Sequence, residues 1–296
     1  MSTNPVALEL PDLVGLKEHA ESVHLPLNQK VSLSGFGEKK SPFRSRGLDF
    51  QEIRVYQPGD DIRQIDWHVT AKYGEPFTKL YTEEKEQQIY LICDLRPNMQ
   101  FASQGHFKSV IAGRLTALSA FIANKRKNSL AYTVMSEKSY FSAPNISLED
   151  SLPTLLDILV QPLGVVESSA TFKDILSQIG QNLKTGASIL IFSDFYDITE
   201  TELEQLGRLG MKNVITCMHI YDELERKLPK EILPFSDGKE TVIFDGDNHS
   251  LQTTFKKSWE EQTNLLRKAV QKYGWGYLPL KTDNDYVKLF TQFCLG

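Results

Sequence analysis

Two apolar runs in the sequence are followed at once by acidic residues that could do chemistry. The run IYLICDL contains Asp94, and the run SILIFSDF contains Asp194, with Asp197 close behind it. Carboxylates, together with hydroxyl groups from a nearby loop, are hard oxygen ligands of the kind that bind magnesium or manganese. A structural role is equally open, because both aspartates are placed to cap following helices or to pair with Arg96.

The elements that must position these residues follow from the apolar pattern. After residue 88, short apolar runs of strand length alternate with segments whose apolar residues recur at helical spacing. This alternation predicts an α/β fold with a mainly parallel sheet flanked by helices. Ligands of such sheets bind at the carboxyl ends of the strands, so Asp94 and Asp194 are expected at one shared edge.

The first part of the chain has a different character. Residues 30–87 contain ten Lys or Arg and ten Asp or Glu, interleaved with aromatic residues and broken by turn signals into short extended pieces. The sequence therefore predicts an irregular, β-rich N-terminal segment over 1–87 and an α/β domain over 88–296. Loss of periodicity at 222–254 predicts an insertion with a short hairpin, followed by a helix from about residue 258.

The α/β part resembles a von Willebrand factor A domain, on the order strand, DLRPN, helix, Ser/Thr loop, and strand ending in SDF. Such domains commonly carry a metal-ion-dependent adhesion site that opens with Asp-x-Ser-x-Ser. The resemblance implies metal ligands at Asp94, Asn98, Asp194 and Thr171, with Ser169 as the rival to Thr171. Arg96 stands where a ligating serine is expected, and its guanidinium group would repel a divalent ion. The implied site is therefore degenerate.

A second resemblance lies in the charged segment before this domain. It has the ordered pattern RGLDF at 46–50, RVY at 54–56, PGDDIRQIDW at 58–67 and AK at 71–72. This pattern resembles the signature of the domain-of-unknown-function 58 family, in which a charged block precedes a von Willebrand A-like domain. Members of that family resemble partners of MoxR-type AAA+ ATPases with a chaperone-like role in the maturation of protein complexes. The resemblance implies a partner of that class here.

The charged block is interpreted either as a structural scaffold or as a docking surface. Its arginines are spaced to pair with its aspartates, and its aromatic rings are expected to cover apolar surface. The residues given one of these roles are Arg46, Arg54, Tyr56, Asp60, Asp61, Arg63, Asp66 and Trp67, together with Arg96 in the later domain.

The leading functional hypothesis is a non-enzymatic protein-interaction module that docks a MoxR-type ATPase through loops at the sheet edge. No catalytic residue is expected, and no cofactor beyond a weakly bound magnesium or manganese ion. The alternative is a magnesium-dependent phosphoryl or phosphodiester hydrolase that uses Asp94, Asp194 and Asp197. Arg96 stands where aspartyl hydrolases carry their second acid, and no P-loop or G-x-S-x-G motif is present.

Composition and charge argue against several other classes. The 296 residues carry 33 Lys and Arg against 38 Asp and Glu, for a net charge of -5, which gives no basic footprint for nucleic acid. The three cysteines are too few for a disulfide framework. No apolar run has the length of a membrane span, and the N-terminus lacks a signal-peptide pattern. A soluble, cytoplasmic chain is expected, and a partner complex at a membrane stays open.

Overall fold

The computed structural model describes residues 4–25, 52–57, 62, 65–80, 87–136, 140–146, 148–161, 171–229, 232–236, 241–245 and 248–295. The chain divides into two compact units, one of Met1–Phe36 with Gln87–Gly296 and the other of Gly37–Glu86. We call the first the α/β body and the second the small unit. The predicted first domain, 1–87, differs from this division, because residues 4–25 pack into the core of the α/β body.

The N-terminal residues form a short helix and a 3₁₀ helix on the α/β body. Helix α1 spans Leu10–Gly15 and continues into the 3₁₀ helix Leu16–Ser22. Leu13, Leu16 and Ala20 recur at helical spacing, and all three are buried in the core. This element was not predicted from the sequence.

The described residues of the small unit form an antiparallel strand pair and a helix. Strand β1 (Glu52–Val55) pairs with β2 (Phe77–Leu80), and helix α2 (Trp67–Tyr73) lies between them in the chain. Asp66 begins α2 by accepting hydrogen bonds from two backbone amides, and Gly74 ends it at φ +78°. The extended pieces were predicted, whereas α2 was not.

The α/β body is built on a six-stranded sheet. The strands of the body are β3 (Gln88–Asp94), β4 (Ser129–Met135), β5 (Tyr140–Ile146), β6 (Ser188–Ser193), β7 (Val214–Tyr221), β8 (Ile232–Ser236), β9 (Thr241–Asp245) and β10 (Gly276–Lys281). The sheet has the order β10-β7-β6-β3-β4-β5, and its neighbours are parallel except β5, which runs antiparallel to β4. Strands β8 and β9 form a separate hairpin. The predicted mainly parallel α/β fold is confirmed.

Helices cover both faces of this sheet. They are α3 (Lys108–Lys125), α4 (Leu148–Val160), α5 (Phe172–Asn182), α6 (Glu200–Gly210), α7 (Glu223–Arg226), α8 (His249–Tyr273) and α9 (Tyr286–Leu295). One apolar core includes residues of α3, α4, α9 and the N-terminal helices, and a second includes residues of α5, α6 and α8. Within the described ranges, no helix combines the length and the apolar character needed to cross a lipid bilayer.

Helix α3 is buried along nearly its whole length. Every residue from Lys108 to Ala123 is buried, because α3 contacts both β3 and the N-terminal 3₁₀ helix. A helix that is buried all round belongs to a core, so a charged residue inside it needs partners. Lys108 is such a residue.

The C-terminal third contains more regular structure than predicted. Helix α8 begins at His249, where Asn248 accepts a hydrogen bond from the amide of Leu251 at 3.2 Å, and not near residue 258. The first turns of α8 are largely exposed, so they carry no apolar periodicity that would reveal a helix. The predicted insertion at 222–254 therefore contains α7, the hairpin and the start of α8.

Truncation of Leu13 is expected to show that the N-terminal helices belong to the core. Leu13→Ala should lower the free energy of unfolding by about 2–5 kcal/mol, because it leaves a cavity among buried side chains. Leu10→Ala is the matched control in the same helix, since Leu10 is 41% exposed whereas Leu13 is fully buried. Urea unfolding should show a change of no more than about 0.5 kcal/mol for the control. Equal, small effects of both variants would contradict this assignment.

Candidate functional site

Acidic and basic side chains meet at the carboxyl ends of two adjacent strands. Asp94 is the last residue of β3, Asp194 directly follows β6, and β3 pairs with β6 in the sheet. Further charged residues come from the loops after these strands, from the start of α3 and from α7. We call this set the charged cluster: Asp94, Arg96, Lys108, Asp194, Asp197 and Glu225.

Arg96 joins two of the carboxylates through its planar guanidinium group. Nε donates to Asp94 Oδ1 at 2.9 Å, and Nη2 donates to Asp94 Oδ2 at 2.8 Å. Nη1 and Nη2 also donate to the two oxygens of Asp197, at 2.5 and 2.8 Å. The Phe172 ring lies 5.2 Å from the guanidinium carbon. A lysine would not reproduce this arrangement, because its ammonium group lacks the planar fork of donors.

Burial and pairing set the charge of these groups. Burial raises the pKa of Asp94, while hydrogen bonds from Arg96 and from the Ser193 hydroxyl, at 2.7 Å, oppose that rise. Burial alone would lower the pKa of Arg96, but its bonds to Asp94 and Asp197 outweigh burial and raise that pKa. The guanidinium group therefore stays charged at physiological pH, and protein groups supply the hydrogen bonds of Asp94.

Lys108 holds the other two carboxylates. Its Nζ donates to Asp194 Oδ2 at 2.7 Å and also contacts Glu225 Oε1. Asn98 Nδ2 donates to both oxygens of Asp194, at 2.9 and 3.0 Å. Burial alone would raise the pKa of Asp194, but Lys108 and the hydrogen bonds lower it overall. Burial raises the pKa of Glu225 despite the same lysine.

The charged cluster does not fit a divalent metal ion. Arg96 and Lys108 place fixed positive charge against Asp94 and Asp194, where such an ion would have to bind, and this charge repels it. In the part of the chain that the structure describes, no three His, Cys, Asp or Glu side chains are arranged to hold a metal ion. Internal ion pairs thus stand in the place of the implied metal.

The remaining implied ligands have other partners. Asn98 presents its amide NH₂ to Asp194, so it acts as a hydrogen-bond donor there. The Thr171 hydroxyl donates to Asp174 at 2.5 Å in the capping box that begins α5. Ser169 lies outside the described residues. The structure therefore brings Asp94, Asn98 and Asp194 together, whereas the Thr171 side chain caps a helix.

The loop after β6 is held in one conformation. Phe195 has φ +54°, which is unusual for a bulky residue, and its ring stacks on Phe172 at 6.0 Å. Gln262 Nε2 donates to the backbone carbonyls of Phe195 and Ile198, at 2.9 and 3.0 Å. These contacts leave Tyr196 69% exposed. Backbone strain that the surroundings support is found at functional sites.

A cavity of about 480 Å³ opens beside this loop. Residues that directly follow β6, residues of β7 and α7, and residues of α8 from Phe255 to Leu266 line it, and several of them are aromatic. Among the lining residues are Asp194, His219, Tyr221, Glu225, Phe255 and Trp259. We call this space the aromatic cavity. Its volume lies in the range of small-ligand sites.

His219 in the wall of the aromatic cavity is neutral at physiological pH. Its Nδ1 lies 2.8 Å from the Tyr277 hydroxyl, which also hydrogen-bonds with Arg267. Burial lowers the pKa of His219 to about 4.

The signature residues of the small unit are described only in part. Those outside the described residues are Arg46, Asp60, Asp61 and Arg63. Arg54 lies in β1, Tyr56 is half-buried, and Asp66 caps α2 through the amides of the next turn. Trp67 is 68% exposed, contrary to the expectation that its ring covers apolar surface.

Two members of the charged cluster were not found from the sequence. The only signal for Lys108 is a basic residue at the start of a mostly apolar helix, and no role was assigned to it from the sequence. Glu225 lies in a stretch without periodicity, and nothing in the local sequence brings it to Lys108. The other four members were identified from their positions after the two strands.

The family described as Protein of unknown function DUF58 matches residues 52–264 of this chain. The chain belongs to this family. The match confirms the resemblance that the charged signature gave. It spans residues of the small unit, the sheet strands β3 to β7, the β8–β9 hairpin and α8 as far as residue 264.

Relatives of this DUF58 chain were found among known proteins. The uncharacterized proteins Mb1516 of Mycobacterium bovis and Rv1480 of Mycobacterium tuberculosis are each 21% identical to it over 278 residues, covering 92% of this chain and 86% of the relative. The crystal structure of the conserved hypothetical protein BatB from Bacteroides thetaiotaomicron matches 70% of this chain and 96% of that chain, with 12% identity and a TM-score of 0.43.

Removal of Arg96 from this DUF58 protein is expected to be strongly destabilising. Arg96→Met should lower the free energy of unfolding by about 3–5 kcal/mol, because it leaves the buried Asp94 without its ionic partner. Adding Asp94→Asn should recover part of that loss, because the unpaired charge is then gone. Urea unfolding measures the free energy of unfolding of both variants. The control is Lys256→Met, which removes an exposed ion pair and should lower that free energy by no more than about 1 kcal/mol. A loss for Arg96→Met as small as the control's would refute the role given to Arg96.

The buried neutral His219 is expected to make stability depend on pH. Its pKa is about 4 in the folded protein, below the ordinary 6.5, so the unfolded chain binds the proton more readily. The neutral His219 therefore contributes stability above its ordinary pKa of 6.5, and this contribution is lost as the pH falls towards the folded-state pKa of about 4. Between about pH 7 and about pH 5, wild type should lose about 2 kcal/mol more than His219→Gln. Parallel pH profiles of the two proteins in urea unfolding would contradict this.

Proposed function

We propose that this protein is a non-enzymatic interaction module whose α/β body is a von Willebrand A-like domain that docks a MoxR-type AAA+ ATPase. The strand order, with a single antiparallel strand at one edge of the sheet, supports the domain type. The DUF58 signature is the support for the class of partner and for a chaperone-like role in maturing a protein complex. We also propose that docking takes place in the cytoplasm and involves no nucleic acid.

The pairing of the charged cluster carries this proposal. In an adhesion-type site, a metal ion connects the loops and a carboxylate of the partner completes its coordination. Here Arg96 connects Asp94 with Asp197, and Lys108 connects Asp194 with Glu225. The loops are therefore held without an ion, and we propose that docking needs no metal.

The loop after β6 supplies contacts suited to a partner. Tyr196 is 69% exposed beside the half-exposed Asp197, on a backbone fixed by Gln262 and by the stacked Phe195. Tyrosine is enriched among the residues that dominate binding energy at protein interfaces. A loop that is already ordered loses little conformational entropy on binding, which favours affinity. We therefore place Tyr196 at the centre of the docking surface.

The small unit provides a second surface under this proposal. Trp67 is exposed there next to the half-buried Asp66, within the charged signature of the family. Exposed tryptophan is also enriched at interaction hot spots. This supports the docking alternative for the signature residues over a purely internal scaffold.

The hydrolase alternative is disfavoured by the same ion pairs. Asp94, Asp194 and Asp197 each contact a fixed basic side chain, and Asp94 and Asp194 are buried. A carboxylate that acts as nucleophile or metal ligand must be available to the substrate or the ion. The ion pairs of all three and the burial of Asp94 and Asp194 support the non-enzymatic interpretation.

A binding measurement with the purified MoxR-type ATPase of the same organism tests the proposal. Tyr196→Ala should weaken binding by about 30-fold or more, as expected for a central interface tyrosine. Met211→Ala is the matched control, because Met211 is 77% exposed but lies at the far end of α6. Biolayer interferometry with magnesium and with a chelator should give the same affinity for wild type.

Three results would contradict the proposal. Absence of binding by wild type would remove the partner, and equal effects of Tyr196→Ala and Met211→Ala would remove the docking surface. Binding of wild type that requires magnesium would contradict docking without a metal ion. Thermal unfolding of each variant shows that the fold is intact.

A further inference from the structure

The aromatic cavity has an excess of negative charge along one wall. The charged cluster contains four carboxylates and two basic groups, so the basic groups neutralise only half of its negative charge. Asp194 and Glu225 line the cavity and share the single ammonium group of Lys108. His219 in the same wall adds no positive charge at physiological pH. Asp194 is nearly fully buried and already paired, whereas the Glu225 side chain is 29% exposed, so Glu225 is the carboxylate that a cation entering the cavity can reach.

The rest of the cavity wall is aromatic. Tyr221 and Trp259 lie with ring centroids 6.1 Å apart at an interplanar angle of 57°, and Tyr221 also neighbours His219 at 5.6 Å. Phe255, which is 37% exposed, lines the cavity one turn before Trp259 on α8. Aromatic faces attract cations that shed water easily, whereas a small metal ion needs oxygen or nitrogen ligands. This combination favours an organic cation.

The shape and chemistry favour a guanidinium group in particular. Guanidinium is planar, so it stacks on aromatic rings, and its donors can reach carboxylates at the same time. The carboxylate of Glu225, whose side chain is 29% exposed, and the ring of Trp259 line one cavity of about 480 Å³, which has room for a long side chain. Arg96 already shows this chemistry in the same protein, since it pairs with two carboxylates beside the Phe172 ring.

We propose that the aromatic cavity binds the guanidinium group of an arginine side chain that the docking partner presents. The source of the arginine rests on the proposed function, but the guanidinium site itself does not. The cavity adjoins the exposed Tyr196, which also lines it, so one partner segment can contact both. The site lies entirely in the α/β body.

Matched small probes test the site without the partner. N-acetyl-arginine amide should shift the indole N–H resonance of Trp259 in NMR titrations, assigned by its loss in Trp259→Phe. N-acetyl-citrulline amide has nearly the same shape without the charge, and it should give no saturable shift. Equal binding of both probes would overturn the cation site, and so would a lack of binding by the arginine probe.

A matched pair of variants tests the wall. Glu225→Gln should weaken the arginine probe about tenfold, because a charge-assisted contact is lost. Glu223→Gln, in the same short helix but outside the cavity lining, should leave its affinity unchanged. Equal weakening by the two variants would show that the probe responds only to the overall negative charge of the surface, and it would overturn the proposal. If Glu225→Gln unfolds the protein, Phe255→Ala at a partly exposed position provides the same test. This variant should also weaken binding of the arginine probe.

Competition separates this inference from the proposed function. The arginine probe should displace the MoxR-type ATPase from wild type, whereas the citrulline probe should not. ATPase binding that ignores a bound arginine probe would overturn the assignment of the arginine to the partner. Probe binding without any ATPase binding would support the guanidinium site and refute the proposed docking.

Discussion

The structure of the sheet edge depends on one constraint, which is that the buried carboxylate of Asp94 requires a positive partner. Moving an ionised group out of water costs several kcal/mol unless charge and hydrogen bonds compensate it. The chain meets this requirement two residues later with Arg96, whose remaining donors reach Asp197 in the loop after the neighbouring strand. One guanidinium group thereby connects the ends of β3 and β6. The loop after β6 is thereby connected to the loop after β3, and Phe195 in the loop after β6 stacks on Phe172.

Lys108 meets the same requirement for Asp194, and together the two basic residues change what kind of site the edge can be. A bound metal ion is lost to a chelator or at low concentration, whereas a basic side chain is part of the chain. The ion pairs therefore connect the loops through groups that belong to the chain itself. Two basic groups for four carboxylates still leave the edge negative, so its electrostatic preference for cationic groups is retained.

Much of the fold and four of the six members of the charged cluster could be predicted because their signals are local. The buried strands β3 and β6 are continuous apolar runs, and the pairing of Asp94 with Arg96 joins residues two positions apart. The contact between Lys108 and Glu225 spans 117 positions, and no local pattern encodes it. The N-terminal helices were missed for a related reason: they complete the burial of α3, which is a property of tertiary packing. Thr171 was misplaced because a threonine before a helix serves equally well as a cap.

The two halves of helix α8 contribute differently to the core and to the wall of the aromatic cavity. Among its 25 residues, those that are buried, Thr263, Leu266, Ala269 and Val270, lie in the C-terminal half. The N-terminal half is largely exposed, yet it carries Phe255 and Trp259, which line the aromatic cavity. Burial of apolar surface accounts for the second half but gives little reason for the first to persist. The proposed arginine site would give these two rings a role. Because the N-terminal half contributes little to the core, a change there is expected to alter the cavity wall while the sheet stays unchanged.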